Sequence, residues 1–414
     1  MTIKQTQTKL FDFSDVGLDF CVGSKNLFPD RFKKMLALGY NVQTVSSVAV
    51  SGSQVTFTYG VSHGYAADRV LKVNSGALAS INGGEFWIDS VTTNTLTFTL
   101  DDAQISITGN FTTHVAPLGW SLEYENANIH VYKFKSLDET DLYIRLCFEN
   151  NSTRRSCISP CIGKSFNPST GLIDDLNALQ STASITSPEV FSWDFTDERN
   201  STYNNYSYSQ GYSNFGAAKV VGSKYHFLIA SWQSQSTWRS SVNGFLPQTN
   251  QHPILNYPVL IGFRSANGTS TRSGYGQAYS YDMANATGYG DAWVGNHRVN
   301  FSNQKLSASN TKIVDTNVAN SSFYPEEIEN FNTTTAHNMS VYLASGLQFV
   351  GFVNGGMYQC RYSSSNTPPN TYQTSPSLTT DIDLSTSVVM HLMAEGTNST
   401  AAYFAIPIEE IKIA

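Results

Sequence analysis

The chain has 414 residues and a formal net charge of −7, with 14% charged, 40% hydrophobic and 13% aromatic residues. An acidic chain with no basic stripe excludes electrostatic capture of DNA or RNA, and no run approaches the 18 apolar residues that a membrane-spanning helix needs. Length alone suggests roughly two to four domains.

So little charge leaves Ser, Thr and Asn to cover the surface, and the β-branched and aromatic residues between them suit a pleated, half-buried sheet. The expected fold is all-β: several small β-barrel or β-sandwich modules with one short N-terminal helix. The cysteines Cys21, Cys147, Cys157, Cys161 and Cys360 are an odd set in a long chain, which argues against a disulfide framework and makes buried free thiols the default. The start, "MTIKQTQTKLFDFSD", lacks the apolar core of a secretion signal, so a soluble chain that begins in the cytoplasm is expected. With no such signal, the Asn-x-Ser/Thr triplets at Asn267, Asn285 and Asn398 read as chance products of an Asn-, Ser- and Thr-rich chain.

In chain order, residues 1–42 form an arm and a helix. "SKNLFPDRFKKMLALGY" (24–40) places Phe32, Met35, Leu36 and Leu38 at near-helical spacing behind Pro29, with Gly39 as a stop. Leu10, Phe11 and Phe13 in the arm before it have no apolar partner within the segment, so they are expected to pack on another domain or another subunit. From 43 to 112, "SSVAVSG", "QVTFTYG", "DRVLKVNSG", "GEFWIDSV" and "TLTFTL" alternate over four to seven residues between Gly, Asn and Ser turns, which predicts a compact barrel or sandwich.

Residues 113–320 predict a central β-sandwich with long polar loops. "DLYIRLCFE" (141–149) alternates Leu142, Ile144, Leu146 and Phe148 on one face. "KYHFLIASW" (224–232) and "YPVLIGFRS" (257–265) are near-continuous apolar runs suited to strands covered on both faces. "NSTYNNYSYSQGYSNFG" (200–216) and "SGYGQAYSYDMANATGYGDAW" (273–293) read as loops whose tyrosines offer contact area at low entropic cost. Their candidate contact residues are Tyr203, Tyr206, Tyr208, Tyr212, Phe215, Tyr275, Tyr279, Tyr281, Tyr289 and Trp293. Residues 321–414 predict a C-terminal β region in which "SSNTPPNTYQTSPSLTT" (364–380) is an exposed irregular connection.

Tests for chemistry find no motif. "ISPCIGKS" has Ile158 where a phosphate loop needs its first glycine, and no nucleophile elbow, zinc-protease helix or calcium loop occurs. Cys157 and Cys161 have no His or Cys nearby to complete a zinc set. The acid pairs Asp101–Asp102, Asp174–Asp175, Glu326–Glu327 and Glu409–Glu410 suit solvated turns. "WDFTDER", with Asp194, Asp197 and Glu198 beside Trp193, is the best candidate for a glycan-cleaving pair, which needs two carboxyl groups about 5–10 Å apart. In "GVSHGYAADRVLKV" (60–73), His63, Asp68 and Arg69 read as a structural corner, with Gly64 supplying a positive φ. No catalytic, cofactor-binding or metal-ligating residue is assigned, and no enzyme activity is expected.

The run "SHGYAADRVLKV…INGGEFWIDSVTTNTLTFTL" has a His-Gly-aromatic turn, a strand after Asp68, an Asn-Gly turn and a Thr-rich final strand. It resembles a small β-module of virion structural proteins of tailed bacteriophages. "APLGWSLEYENANIHVYKF" (116–134) resembles the passage that follows this module in the family, and weaker similarity runs through 135–175 and 243–265, about half the chain in all. "STRRSCISPCIGKSF" departs from the family pattern. The resemblance implies a structural protein of the phage particle, associated with the tail or baseplate and located in the virion, that assembles with other virion proteins and with copies of itself. Two alternatives are a receptor- or carbohydrate-binding tail protein, whose tyrosine loops stack on a host surface glycan, and a polysaccharide-degrading tail enzyme.

Overall fold

A computed structural model describes residues 8–103, 107–150, 155–181, 191–196, 200–233, 239–250, 252–264, 281–282, 291–301, 335–337, 339–363, 377–381, 386–392, 394–395 and 400–408. The chain is all-β, built on three larger antiparallel sheets. The expected N-terminal helix is present as an α-helix, Phe28–Lys33, that widens into a π-helical turn, Lys34–Leu38, and stops at Gly39 with φ +77°. Pro29 suits the first turn, where no amide partner is needed. Phe28, Phe32, Met35 and Leu36 are buried, whereas Leu38 is exposed. At about 100° per residue, Leu38 lies some 240° around the helix from Phe32 and falls off the buried face.

A second helix, Tyr208–Phe215, stands where the sequence suggested loop. Its start is a capping box: Ser207 accepts from the Gln210 amide while the Gln210 side chain accepts from the Ser207 amide. Gly216, at φ +71°, ends it.

The expected barrel or sandwich forms from Tyr40–Ser51, Gln54–Tyr59, Val70–Asn74, Glu85–Trp87, Ser90–Val91, Thr95–Thr99 and Phe111–Val115. Glu85–Trp87 pairs with Val70–Asn74, and three residues on, Ser90–Val91 pairs with Thr95–Thr99 at the far end of the strand order. The segment from 85 to 91 therefore joins both edges of the sheet and closes it into a small barrel. Val55, Phe57 and Tyr59 point inward at period two, and Phe57 meets Phe98 and Phe111 in edge-to-face ring contacts.

The central sheet has 15 strands. It takes the arm strand Lys9–Asp12, paired with Ala218–Gly222, and the strands Ser340–Leu343 and Phe349–Val353, so residues from the arm and the C-terminal region share a sheet with the 113–320 region. Leu142, Ile144, Leu146 and Phe148 are buried on one face as expected, and Arg145 and Cys147 on the other face are buried too. Phe227–Gln233, Arg239–Leu246 and Val259–Arg264 lie between two apolar clusters. Phe227, Ile229, Phe245 and Leu260 join the cluster that includes the barrel interior, the arm and the helix. Leu228, Ala230, Val242, Leu246, Val259 and Ile261 join a second one with Val389, Phe404, Ile406 and Ile408. Cover on both faces explains their unbroken apolar runs.

Those last four residues belong to or adjoin a five-stranded sheet of Thr335–His337, Tyr358–Ser363, Thr400–Pro407, Thr386–Leu392 and Ser377–Asp381. Ser377–Asp381 corrects the irregular reading of the end of the 364–380 segment, because pairing with Thr386–Leu392 outweighs its Thr- and Ser-rich turn signals.

Candidate functional site

The corner 60–73 carries His63, Asp68 and Arg69 within seven positions, and the fold buries His63 and Arg69 while Asp68 is half-buried. His63 is buried; its Nδ1 accepts the Tyr65 amide at 2.9 Å, so Nε2 carries the proton and donates to the Thr95 carbonyl at 3.0 Å. Gly64 has φ +67°, and a Cβ there would sit 2.8 Å from a Val16 methyl. The Arg69 guanidinium makes a two-pronged ion pair with Asp15, Nε to Oδ2 and Nη2 to Oδ1, both at 2.8 Å, and the Tyr40 hydroxyl donates to Asp15 at 2.7 Å. The Arg69 and Asp15 side chains are each 8% exposed. This corner is a clasp between the barrel and the N-terminal arm, and Lys219 of the central sheet pairs with Asp12 of the same arm.

The arm residues offered as a contact surface are spent within the chain. Leu10, Phe11 and Phe13 are buried, and Phe13 stacks on Phe20 at 3.8 Å between ring centroids. Of the two expected partners, a second subunit is therefore corrected to another part of the same chain: backbone pairing with Ala218–Gly222 positions these rings in the main core. Phe215 is likewise buried, against Gly23 and Tyr203.

The neighbouring tyrosines are divided. Tyr203 and Tyr206 are half-buried, and their segment grips the arm: the Ser24 hydroxyl donates to the Tyr206 carbonyl, the Asn26 amide to the Asn204 carbonyl and the Tyr208 amide to Asp19. Tyr208 is half-buried and stacks on Tyr212, centroids 5.5 Å apart and planes 14° from parallel, and Tyr212 is 50% exposed. Tyr281 lies in the short strand Tyr281–Asp282, paired in parallel with Ala394–Glu395. Trp293 is partly buried against the main cluster. Tyr275, Tyr279 and Tyr289 lie outside the described residues.

Around the corner, the outward side is apolar. Val16, Val42 and Val61 are 52%, 65% and 65% exposed. Val16 lies against Gly64, and the Asn41 side chain donates to the His63 carbonyl at 2.9 Å, which holds the segments bearing Val42 and Val61 together. Sequence reading passed over these valines because an isolated valine in a strand-rich segment reads as core.

Among the described residues, groups that could carry chemistry have other roles, while Asp197 and Glu198 lie outside them. The Trp193 ring is fully buried and its indole N–H donates to the Ile261 carbonyl at 2.9 Å, so it offers no platform for a sugar. Asp175 staples a turn, accepting from the Lys164 and Asn177 amides and the Tyr257 hydroxyl. Burial pushes the Cys147 thiol up to about 12 and holds His130 down at about 4, His226 at about 3 and His391 at about 4. Among the described residues Cys21, Cys147, Cys157 and Cys161 are buried and form no disulfide, and no cluster of three or more His, Cys, Asp or Glu could hold a metal ion. No helix of the described residues is long and apolar enough to cross a membrane. No family model and no curated protein matches the chain.

Proposed function

We propose that the chain is a structural component of a bacteriophage particle, associated with the tail or baseplate, that works by assembling with other virion proteins and with copies of itself rather than by catalysis. The observation that carries this reading is the corner 60–73: its His63 and Arg69 are spent on holding the molecule together, while the surface around it presents Val16, Val42 and Val61. Exposed apolar side chains held on a rigid element suit a protein contact. The virion-module resemblance of the same segment supports it independently. Immunogold labelling and mass spectrometry of purified particles of the phage that encodes the chain test the proposal. Stoichiometric recovery in particles is expected, and its absence from intact particles refutes the reading.

A second reading, attachment to a host surface glycan, is favoured by the Tyr208–Tyr212 stack, which presents an exposed ring face among Ser, Asn and Gln side chains. Glycan-array binding that disappears in Tyr212→Ala supports that reading, and an array without a binder removes it. The polysaccharide-degrading alternative has lost its aromatic platform at Trp193 and is not favoured.

A further inference from the structure

We infer that the uncovered end of the central sheet, centred on Tyr342, Phe349 and Phe352, is a contact between two copies of this chain. This names one surface within the assembly reading and rests on that reading.

One face of the central sheet can be followed through the strand register from Leu260 to Trp293 and Arg298, then from Asn300 to Tyr342 and Phe349. Leu260 is buried and Trp293 partly buried, but among the described residues the cover ends before the last strands: Phe349 is 44% and Phe352 48% exposed. Their rings lie 4.9 Å apart, and Tyr342 lies 5.6 Å from Phe349. The opposite face, with Val341, Val350 and Val353, is buried in the second cluster, so the aromatic rings are not needed for the fold of their own strands.

The chemistry around the rings points to the occupant. No Asp, Glu, Lys or Arg occurs between Arg239 and Arg264 or between Glu329 and Arg361, so the three strands at this end carry no charge. Arg298, on the next strand in, is the nearest charge on the register row. Two copies of a chain with net charge −7 repel, and a charge-free patch is where they approach without juxtaposing like charges. A two-fold contact brings the same patch from each copy together, and ring meeting ring is self-complementary. The centres of protein interfaces are depleted of charge and enriched in Phe and Tyr.

The contact runs through the ring face. On the opposite face the Gln248 side chain donates to the Leu255 and Tyr257 carbonyls at 3.0 and 2.8 Å, and Asn250 donates to Leu255 at 2.8 Å, which holds the turn 253–255 there. That turn leaves Ile254 58% exposed beside the strand end. A stable interface needs roughly 800 Å² per partner, so the three rings form its centre and uncharged Ser340 and Thr249, on the same face, extend it.

Sedimentation velocity of the full chain over roughly 1–100 μM at 0.15 M salt, the range where modest interfaces dissociate, tests this. A concentration-dependent dimer is expected, with its dissociation constant raised at least tenfold in Phe349→Thr/Phe352→Thr and unchanged in Leu378→Thr, an exposed leucine on the other sheet. Threonine keeps strand propensity, and unchanged circular dichroism shows that the variant is folded; Phe352→Thr alone serves if the double variant is not. The inference is overturned by a wild-type monomer throughout the range, by a double variant that dimerises normally, or by a monomer that binds neutral dextran through these phenylalanines. Incorporation into particles is read separately, so a phage component that does not dimerise here refutes this contact and leaves the assembly reading standing.

Discussion

Replacing Asp15 by Ala leaves the Arg69 guanidinium in an 8%-exposed site without its two-pronged partner, and it removes the acceptor of the Tyr40 hydroxyl. Truncating one member of a buried ion pair costs about 3–5 kcal/mol, because the remaining charge stays desolvated. The cost falls on the clasp between arm and barrel, and a chain with several sheets does not unfold as one unit, so a local readout is required. Hydrogen exchange of the arm strand Lys9–Asp12 supplies it. At about 1.4 kcal/mol per factor of ten, even the lower bound accelerates exchange by about a hundredfold or more if the arm opens locally. In Asp15→Ala/Arg69→Met the orphaned charge is gone, so the double variant is expected to exchange more slowly than Asp15→Ala. Arm exchange within threefold of wild type in Asp15→Ala, or a double variant as fast as the single one, refutes the reasoning.

Gly64→Ala adds a Cβ at φ +67° against the Val16 methyl and is expected to destabilise the barrel corner by about 1–2 kcal/mol; Val16→Ala in the same chain recovers only the steric part, as read by thermal shift. Ser207→Ala removes the capping box and is expected to cost about 1 kcal/mol, seen as faster exchange in the 208–215 helix and in the Asp19 segment it holds. His130, His226 and His391 have folded pKa values depressed by burial to about 4, 3 and 4, so the unfolded chain binds more protons than the folded one. Stability is therefore expected to fall as pH drops below about 6.5, with each histidine contributing up to about 1.4 kcal/mol per unit until its folded pKa is reached. Denaturation midpoints measured from pH 7 to pH 4 check the direction, and a His226→Gln variant with an undiminished slope would exclude that residue as a contributor.

What the sequence determined by itself is local. Period-two alternation in "QVTFTYG" and "TLTFTL" needs only that one side of each strand be wetter than the other, and both strands are present in the barrel. The apolar runs 224–232 and 257–265 announced cover on both faces, and the Phe28–Leu38 helix was legible from Pro29, its buried spacing and Gly39. The 208–215 helix carried its signature in Ser207 and Gln210, but the surrounding Tyr, Asn and Ser masked it.

Which elements meet was decided by the tertiary structure alone. Leu10, Phe11 and Phe13 find their partner about 200 residues away in Ala218–Gly222, and Arg69 finds Asp15 across the arm, because an amphipathic segment records that it must be covered but not by what. The same limit hid the exposed patches. Val16, Val42, Val61, Phe349 and Phe352 have the chemistry of core residues, and only the point at which neighbouring elements stop covering them separates a surface available for contact from an interior.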